Sequence, residues 1–465
     1  MALQFRNSLT KKLEEFKPIE SGKAKIYTCG PTVYNYLHIG NFKTFMWGDL
    51  LKRYLKYQNY EVTHVMNLTD IDDKIIRDSQ KTGKSLSEFT RVYIDSFFED
   101  YDTLGLERAD FYPKATEHID GMVQMVQKLV ENGLAYEVDG SYYYKIEAFK
   151  DYGQLANIDR DNLKPGERVS SDEYEKESIS DFALWKAWEE TDGDIFWETE
   201  IGKGRPGWHL ECSVMSMKYL GETFDIHTGG IDLLFPHHEN EIAQSEGATG
   251  KKFVNCWMHG EHLIVEGKKM SKSLGNYYTV KDILDKGYSG VVIRYLLISS
   301  HYRHQFNFTF KGLDAARESL SRYTDFFSNL ESYKGGNNSG GKVADAMATA
   351  KMKFEDSLDD DLNISGALAA IFDFIKTINR LKDEDNFDFA EKIDILELMN
   401  SFDTVLNFRF SSEGIDEEIE KLIAQRTEAK ANKDFTVSDK IRDDLLAQGI
   451  ILEDTRDGVK WKRKI

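Results

Sequence analysis

The segment from Lys23 to Gln80 alternates strand-like and helix-like patterns, and this order constrains the possible fold more than any other feature. "KAKIYTCG" is typical of a short strand that runs into a Pro/Gly turn. "NFKTFMWGDLLKRYLKYQNY" then spaces its apolar residues at helical intervals. "EVTHVMNL" and "IDDKIIRDSQ" repeat the pair as a second strand and a second helix. This alternation predicts an α/β fold with a Rossmann-like parallel sheet.

The rest of the 465-residue chain predicts further domains, about three in all. After Ala115 the pattern becomes irregular, which indicates an insertion between two halves of the sheet, and strand and helix patterns resume after Asp192. "YKGGNNSGGKVA" has the composition of a flexible linker. We predict an α/β domain at 1–313 with its insertion at about 115–192, a helical domain at 314–406 with a linker at about 333–344, and a small carboxy-terminal unit at 407–465.

Composition argues against membrane proteins and disulfide-stabilised secreted proteins. No apolar run approaches the roughly 18 residues that cross a bilayer, and the first residues lack the apolar core of a signal peptide. The cysteines, Cys29, Cys212 and Cys256, are far apart and form no disulfide framework. We therefore expect a cytoplasmic protein, in a reducing compartment, that binds no membrane.

The charge is negative overall but positive near the end of the chain. A formal net charge of −20 argues against non-specific binding of nucleic acid, because such binding depends on Lys and Arg that neutralise phosphates. Residues 421–465 instead contain 11 Lys and Arg against 8 Asp and Glu, a net charge of +3. This segment is either a solvated helix face or a short nucleic-acid contact, and composition alone favours the solvated face.

Two segments contain residues suited to binding phosphate. "GPTVYNYLHIGN" places His38 and Asn41 at the start of the first long helix, where ligands of α/β sheets bind. "GKKMSKSLGN" places Lys268, Lys269 and Lys272 in a loop that can close over a polyphosphate. Taken separately, the first is more often a structural turn and the second a solvated loop. Neither the standard dinucleotide-binding pattern nor a P-loop is present.

Taken together, in this order and separated by a large insertion, the two segments resemble the signatures of class I aminoacyl-tRNA synthetases. The Lys-Met-Ser-Lys-Ser match is complete, whereas Asn41 stands where the other signature ends in histidine. An asparagine amide still donates a hydrogen bond, although it carries no positive charge. The resemblance implies that His38, Asn41, Lys269 and Lys272 bind ATP and catalyse its reaction, with Lys272 as the main ATP contact and Mg²⁺ accompanying the ATP.

"FPHHENEIAQSE" combines two histidines with several carboxylates. If its proline stands in the first turn of a helix, His237 and Glu241 are four residues apart and share one face, while His238 points elsewhere. With the thiolates of Cys29 and Cys212 they form a plausible set of zinc ligands. The spacing alone does not show such a site, and without further information buried cysteines that bind no metal are the better interpretation.

A wider resemblance changes that interpretation. Five segments spread over nearly the whole chain are similar to the cysteinyl-tRNA synthetase family: "YTCGPTVYN", "MNLTDIDDKII", "GWHLECS", "GGIDLLFPHHENE" and "KMSKSLGN". This resemblance implies that Cys29, Cys212, His237 and Glu241 bind one Zn²⁺ per chain, that Cys256 is a core residue of a strand, and that the protein is a monomer. Zinc would distinguish cysteine from serine by its thiolate, whereas a pocket that relies on size separates such near-isosteres by only about 1–3 kcal/mol.

Other polar residues have two interpretations each. In the first interpretation, Asp232 holds the ammonium of the substrate, Trp208 or His227 lines the cysteine pocket, and Thr69 faces the substrate. In the second, these residues are structural. The carboxylates of "TDIDDK" would cap a helix rather than bind a metal. They are Asp70, Asp72 and Asp73.

The family resemblance implies that the protein activates L-cysteine with ATP and transfers it to the terminal adenosine of tRNA(Cys), and that the carboxy-terminal unit contacts the anticodon. Two other hypotheses remain. A ligase that joins cysteine to a small amino sugar should lack a nucleic-acid-binding tail, so residues 414–465 argue against it. A zinc-stabilised RNA-binding protein without catalytic activity would not need the lysine loop or His38.

Overall fold

A computed structural model describes residues 2–158, 181–271, 274–409, 413–432, 434–447, 450–455 and 458–463. Strands and helices alternate in its first part, as the sequence predicts. The strands are β1 Gln4–Asn7, β2 Lys12–Glu15, β3 Lys23–Thr28, β4 Glu61–Met66, β5 Ala135–Val138, β6 Ser141–Tyr144, β7 Phe182–Ala187, β8 Trp197–Thr199, β9 Gly202–Pro206, β10 Phe224–Gly230, β11 Val254–Gly260, β12 Leu263–Val265, β13 Lys268–Lys269, β14 Phe306–Phe308, β15 Ile450–Thr455 and β16 Gly458–Arg463.

The central sheet has four parallel strands in the order β11-β10-β3-β4. β3 and β4 come before the insertion and β10 and β11 after it, so the predicted two halves of a Rossmann-like sheet are confirmed. A helix connects the strands of each half.

The helices are α1 Ile39–Tyr57, α2 Asp73–Thr82, α3 Leu86–Thr103, α4 Ile119–Glu131, α5 Trp208–Leu220, α6 Glu239–Thr249, α7 Val280–Leu284, α8 Gly290–Ile298, α9 Phe310–Ser332, α10 Lys342–Asp359, α11 Ile364–Asp383, α12 Phe389–Leu406, α13 Glu413–Ala431 and α14 Phe435–Ala447.

The insertion is more regular than its sequence suggests. It contains α4 and an antiparallel sheet of five strands in the order β5-β6-β7-β9-β8. This sheet continues past Asp192, the predicted end of the insertion, because Arg205 and Pro206 of β9 pair with Lys186 and Trp185 of β7. The sequence of β9, "GKGRP", has low strand propensity. Pairing with a distant strand therefore decides its conformation.

The segment at 333–344, predicted as a flexible linker, contains a hydrogen-bonded turn that leads into α10. The N–H of Gly336 donates to the carbonyl of Phe387 (2.7 Å), and the N–H of Ser339 donates to the carboxylate of Glu391 (3.0 Å). Glycine, asparagine and serine are as typical of tight turns as of linkers. Composition alone did not distinguish the two.

A fully buried ion pair joins α1 and α8 to the end of α12. Arg294 Nη2 lies 2.6 Å from Asp49 Oδ2, and both side chains are inaccessible to solvent. Arg294 also donates to the carbonyls of Leu406 (2.7 Å) and Gly105 (3.1 Å), and the side chain of Asn407 donates to the same carbonyl of Gly105 (2.8 Å). Such a buried charge is tolerated because it is paired and hydrogen-bonded. The last turn of the helical region thus belongs to the core beneath the sheet.

The described part of the tail comprises α13, α14 and the antiparallel hairpin β15–β16. It has a small apolar core of its own, formed by Ile423, Leu445 and Ile450. Within the described ranges of the whole chain, no helix is long and apolar enough to cross a membrane.

Candidate active site

A cavity of about 790 Å³ opens at the carboxyl ends of the parallel strands, where ligands of open α/β sheets bind. It brings together residues that lie far apart in the sequence. His227 and Glu241 are not among its lining residues, and Lys272 lies outside the described part of the chain. The predicted site residues that line the cavity are Cys29, His38, Asn41, Thr69, Trp208, Cys212, Asp232, His237 and Lys269.

The four predicted ligands form a compact cluster beside the cavity, and three of them line it. The Sγ atoms of Cys29 and Cys212 are 3.7 Å apart, and Glu241 Oε1 lies 3.7 Å from Cys29 Sγ and 3.1 Å from His237 Nε2. The four ligand atoms all lie within 4.8 Å of one another, and all four residues are buried. The cluster offers two sulfurs, one imidazole nitrogen and one carboxylate oxygen.

Three separate elements hold these side chains. Cys29 follows directly after β3, and Cys212 lies in α5. Phe235 has extended backbone angles (φ −137°, ψ 133°), and helical geometry follows it into α6. His237 and Glu241 therefore lie one turn apart on the same face, as their spacing predicts.

The electrostatics of the cluster favour the anionic forms of Cys212 and Glu241 and the neutral form of Cys29. Burial raises the pKa of the Cys29 thiol. Burial alone would also raise the pKa of Cys212, but the hydrogen bond with Cys29 and the nearby His237 lower it to about 6. Burial would raise the pKa of the Glu241 carboxyl too, but His227 and His237 lower it to about 2. A thiolate and a carboxylate thus lie side by side in a buried position.

Histidines form a second layer behind this cluster, and the sequence did not reveal it. His227, predicted to line the cysteine pocket, lies behind it instead, because its Nε2 bonds to Glu241 Oε2 (2.9 Å). His209 Nδ1 lies 2.9 Å from His237 Nδ1. The expectation that His238 points away from the cluster is wrong, since its Nε2 lies 3.3 Å from Cys29 Sγ.

His238 and His227 create an overlapping group of potential ligands. With Cys29 and Glu241 they also place four ligand atoms within 4.8 Å of one another. The two groups share Cys29 and Glu241, so one ion would use one group or the other. Of the residues that differ, Cys212 and His237 line the cavity, and this favours the group predicted from the sequence.

Thr69 lies where the sequence predicts, on the cavity wall. Its hydroxyl donates to Glu211 Oε2 (2.9 Å), and the amide of Asn67 donates to the same hydroxyl oxygen (3.1 Å). Asn67 Oδ1 in turn accepts the N–H of Gly30 (2.8 Å), the residue after Cys29. Sequence analysis missed Glu211, a carboxylate buried next to Cys212, because nothing local distinguishes it from a surface acid of α5.

Asp232 and Trp208 also line the cavity. Asp232 lies against Gly230, where a Cβ atom would come within 2.3 Å of Asp232 Oδ1, so only glycine leaves room for the carboxylate there. The ring centroid of Trp208 is 4.2 Å from that of His237. The carboxylate and the indole therefore border the same space as the cluster.

The first phosphate-binding segment forms the amino terminus of α1. His38 is the N-cap residue: its Nδ1 accepts the N–H of Asn41 (3.1 Å), and Asn41 Oδ1 accepts the N–H of His38 (3.1 Å). With Nδ1 used as an acceptor, the neutral ring of His38 carries its proton on Nε2. The amide nitrogen of Asn41 is likewise left as its donor group. Both side chains offer hydrogen bonds to an anion at the helix amino terminus.

The second phosphate-binding segment lies against the first. A Cβ atom on Gly40 would come within 3.1 Å of Met270 Cε, so the lysine loop packs on the start of α1. Asn276 holds the loop, since its amide donates to the carbonyl of Lys269 (3.1 Å) and its Oδ1 accepts the N–H of Ser271 (2.8 Å). Lys269, on β13, is exposed, and of the described lysines in this segment it is the one that lines the cavity.

The acidic segment before α2 has mixed roles. Asp72 caps α2, as predicted, because its Oδ1 accepts the N–H of Ile75 (2.6 Å). Asp73 lies in the first turn of α2, but its carboxylate pairs with Lys186 (2.9 Å) and Arg205 (2.6 Å) and does not cap the helix. Asp70 does not cap this helix, and that prediction is wrong. Its two oxygens accept the N–H (3.0 Å) and the hydroxyl (2.6 Å) of Thr116.

Two family models match the chain. Residues 15–318 match the class I (C) tRNA synthetase catalytic domain, and residues 353–411 match the DALR domain. Solved structures resemble the fold at low identity. Methionyl-tRNA synthetase of Mycobacterium tuberculosis, in complex with methionyl-adenylate, is 14% identical with a TM-score of 0.61, over 83% of this chain and 90% of its own. The LeuRS of Agrobacterium radiobacter K84, in a ternary complex, is 13% identical with a TM-score of 0.61, over 84% of this chain and 85% of its own.

Curated relatives are far closer. The cysteine–tRNA ligase of Brachyspira hyodysenteriae is 49% identical over 99% of both chains. That of Solibacter usitatus is 48% identical over the whole of both chains, and that of Protochlamydia amoebophila is 48% identical over 99% of this chain and 98% of its own. Identity of this extent, together with the class I catalytic-domain match, means that the chain belongs to the cysteine–tRNA ligase family of class I aminoacyl-tRNA synthetases.

Proposed function

We propose that this protein is a cysteine–tRNA ligase. It activates L-cysteine with ATP, which gives cysteinyl-adenylate and pyrophosphate, and then transfers the cysteinyl group to the terminal adenosine of tRNA(Cys). The observation that carries the proposal is one cavity that is lined by members of a thiol-rich ligand cluster and by both phosphate-binding segments. These are the groups that a reaction between cysteine and ATP requires.

The donor set fits zinc. Zinc prefers sulfur, imidazole and carboxylate ligands, whereas Mg²⁺ and Ca²⁺ prefer oxygen alone. We assign Cys29, Cys212, His237 and Glu241 as its ligands, from their burial and their mutual distances. When bound, zinc supplies selectivity for the thiolate of cysteine over the hydroxyl of serine.

The wall beside the cluster suits the other end of cysteine. Asp232 provides a carboxylate for the substrate ammonium. The hydroxyl hydrogen of Thr69 is directed to Glu211, so Thr69 presents its oxygen to the cavity as an acceptor. Trp208 closes the space beside His237. These residues orient the α-carboxylate of cysteine toward the phosphate-binding segments.

Formation of the adenylate needs little acid–base catalysis. An α-carboxyl group has a pKa of roughly 3.5, so the attacking carboxylate is ionised at neutral pH. As it attacks the α-phosphate of ATP, negative charge grows on the phosphoryl oxygens and on the departing pyrophosphate. His38 Nε2, the amide of Asn41 and the ammonium of Lys269 are placed to stabilise that charge. Lys272 has the same role in the proposal, and Mg²⁺ accompanies ATP.

The tail completes the proposal. Residues 421–465 carry a net charge of +3, in contrast to the acidic body, and α13, α14 and the hairpin form a small unit with its own core. We assign it to the anticodon end of tRNA, where single-stranded bases are recognised by stacking and backbone contacts. Such a unit has no use in a ligase that joins cysteine to an amino sugar.

Two assays on the purified protein test the proposal. We expect cysteine-dependent exchange of pyrophosphate into ATP, and we expect charging of tRNA(Cys) with cysteine. Absence of exchange would leave a zinc-stabilised RNA-binding protein as the interpretation. Exchange without charging of any tRNA would instead favour the amino-sugar ligase.

A further inference from the structure

We propose that the exposed ring of Tyr36 is a stacking platform for an unpaired nucleotide at the 3′ end of tRNA as that end enters the cavity. The inference rests on the proposed function, since the second step brings the end of a tRNA to this site. ATP and cysteine are small enough to lie inside a cavity of about 790 Å³. The nucleic acid must enter from outside, and so its last nucleotides pass over the rim.

Tyr36 stands at that rim. It is a wall residue of the cavity, two positions before His38, and yet half of it (50%) is exposed to solvent. Single exposed aromatic residues are common, so the position of this one carries the argument. Tyr36 lies on the cavity wall beside the phosphate-binding segments, where the end of the tRNA must pass.

The ring is held in place before any ligand arrives. It contacts the ring of Tyr93 on α3 edge to face, with centroids 5.4 Å apart, and Tyr93 contacts the buried Phe89 in the same manner at 5.3 Å. The hydroxyl of Tyr277 donates to the carbonyl of Tyr36 (3.0 Å). Tyr277 follows the lysine loop, so the platform is supported both by α3 and by the segment that ends that loop. A fixed platform costs little entropy when a base stacks on it.

The neighbouring groups also suit nucleic acid. Tyr34, another wall residue, carries the ammonium of Lys74 at 5.0 Å from its ring centroid. An aromatic surface for bases beside a cation for phosphates is the arrangement that binds single strands. Tyr36 would therefore take a base, and Lys74, over the ring of Tyr34, supplies the cation for the backbone.

The test compares two forms of tRNA(Cys), full length and lacking the three 3′-terminal nucleotides. We expect Tyr36→Ala to weaken binding of the full-length tRNA about tenfold, as removal of one stacking ring does, and to leave binding of the shortened tRNA unchanged. Tyr36→Phe keeps the ring and should bind both forms as the wild type does. Val92→Ala, on α3 and 45% exposed, is the control for loss of exposed apolar surface.

Two further measurements make the outcome decisive. In Tyr36→Ala the KM for tRNA should rise about tenfold, and the KM values for ATP and cysteine in the exchange assay should change much less. Tyr93→Leu, which removes the support and not the platform, should give a smaller loss in the same direction. Equal losses for the two tRNA forms, or no loss for either, would overturn the platform. A wild-type protein that exchanges pyrophosphate but charges no tRNA would overturn the proposed function instead.

Discussion

The ligand cluster and the lysine loop differ in how firmly their side chains are held. In the cluster, Cys29, Cys212, His237 and Glu241 are at most 6% exposed and bond to one another and to buried histidines. In the lysine loop, Lys269 is exposed and the loop is held through its backbone by Asn276. In the proposed function, a rigid and dry group of ligands selects cysteine, whereas solvated charges that can close over ATP bind the nucleotide.

Removing a ligand from the rigid cluster should have the largest effect. We expect Cys212→Ser to lose its zinc, from about one ion per chain, and to lower cysteine-dependent exchange by more than about a hundredfold, because a serine hydroxyl is a poor zinc ligand. Elemental analysis and the exchange assay measure the two effects. Cys256→Ser, in β11 of the central sheet, is the matched control and should keep both its zinc and its exchange activity. Unchanged tight zinc in Cys212→Ser would refute the assigned ligands.

Substitutions in the exposed lysine loop should lower the rate of exchange and leave the zinc content unchanged. We expect Lys269→Met to lower kcat for exchange about a hundredfold, as loss of one group that stabilises charge in the transition state does. Zinc content should stay at its wild-type value. Lys268→Met removes the adjacent exposed charge and serves as the control. Similar losses in the two variants would mean that the loop acts only through its total charge.

The second layer of histidines allows a finer test of rigidity. His227→Asn removes the imidazole that bonds to Glu241, and we expect zinc affinity to fall roughly tenfold, the usual effect of losing such an outer partner. Competition with a chelator measures that affinity. His118→Asn is the control, since it changes a buried histidine that bonds to the carbonyl of Lys114 and lies far from the cluster residues in the sequence. It should leave the zinc affinity unchanged. Equal zinc affinity in His227→Asn and the wild type would show that Glu241 needs no support.

The smallest expected effect concerns the cavity wall near Glu261. Lys43 Nζ donates to the carbonyls of Glu261 (2.8 Å) and His304 (3.1 Å), and Glu261 lines the cavity. We expect Lys43→Met to raise the KM for ATP about threefold by releasing these carbonyls, with partial rescue in Lys43→Arg and little change in the KM for cysteine. A uniform fall in kcat with unchanged KM values would contradict this positioning role.

Lys43 also predicts a dependence of stability on pH. Burial lowers its pKa to about 8 in the folded protein, whereas an unfolded lysine titrates near 10.4. Between these pH values the unfolded chain binds more protons than the folded protein. The contribution of Lys43 to the free energy of unfolding therefore increases as the pH rises. The unfolding temperature of the wild type, relative to that of Lys43→Met, should therefore increase as the pH rises from 7 to 10. A constant difference would show that burial does not affect this ammonium.

The sequence predicted what depends on local spacing. Apolar periodicity located α1, α5 and the strands of the central sheet, and a four-residue interval paired His237 with Glu241. Cys29 and Cys212 joined that pair only through family resemblance, because their 183-residue separation contains no local signal.

The rest of the site depends on contacts between distant segments. The bonds from His227 to Glu241 and from Thr69 to Glu211 form only when separate elements pack together. The same is true of β9, whose glycine-rich sequence becomes a strand because β7 pairs with it. Such residues have no periodicity that distinguishes them from ordinary surface or core positions.

The buried Arg294 determines where the chain can be shortened. A fragment that stops at residue 313 would retain the guanidinium but remove its acceptor at Leu406, and a buried donor without a partner costs about 1–3 kcal/mol. It would also lose the bond from Asn407 to Gly105. A minimal unit for cysteine activation should therefore end after Arg409, which keeps the helical region and removes the tail. The helices that follow the sheet are thus a structural requirement of the enzyme's first reaction, although none of them contributes a predicted site residue.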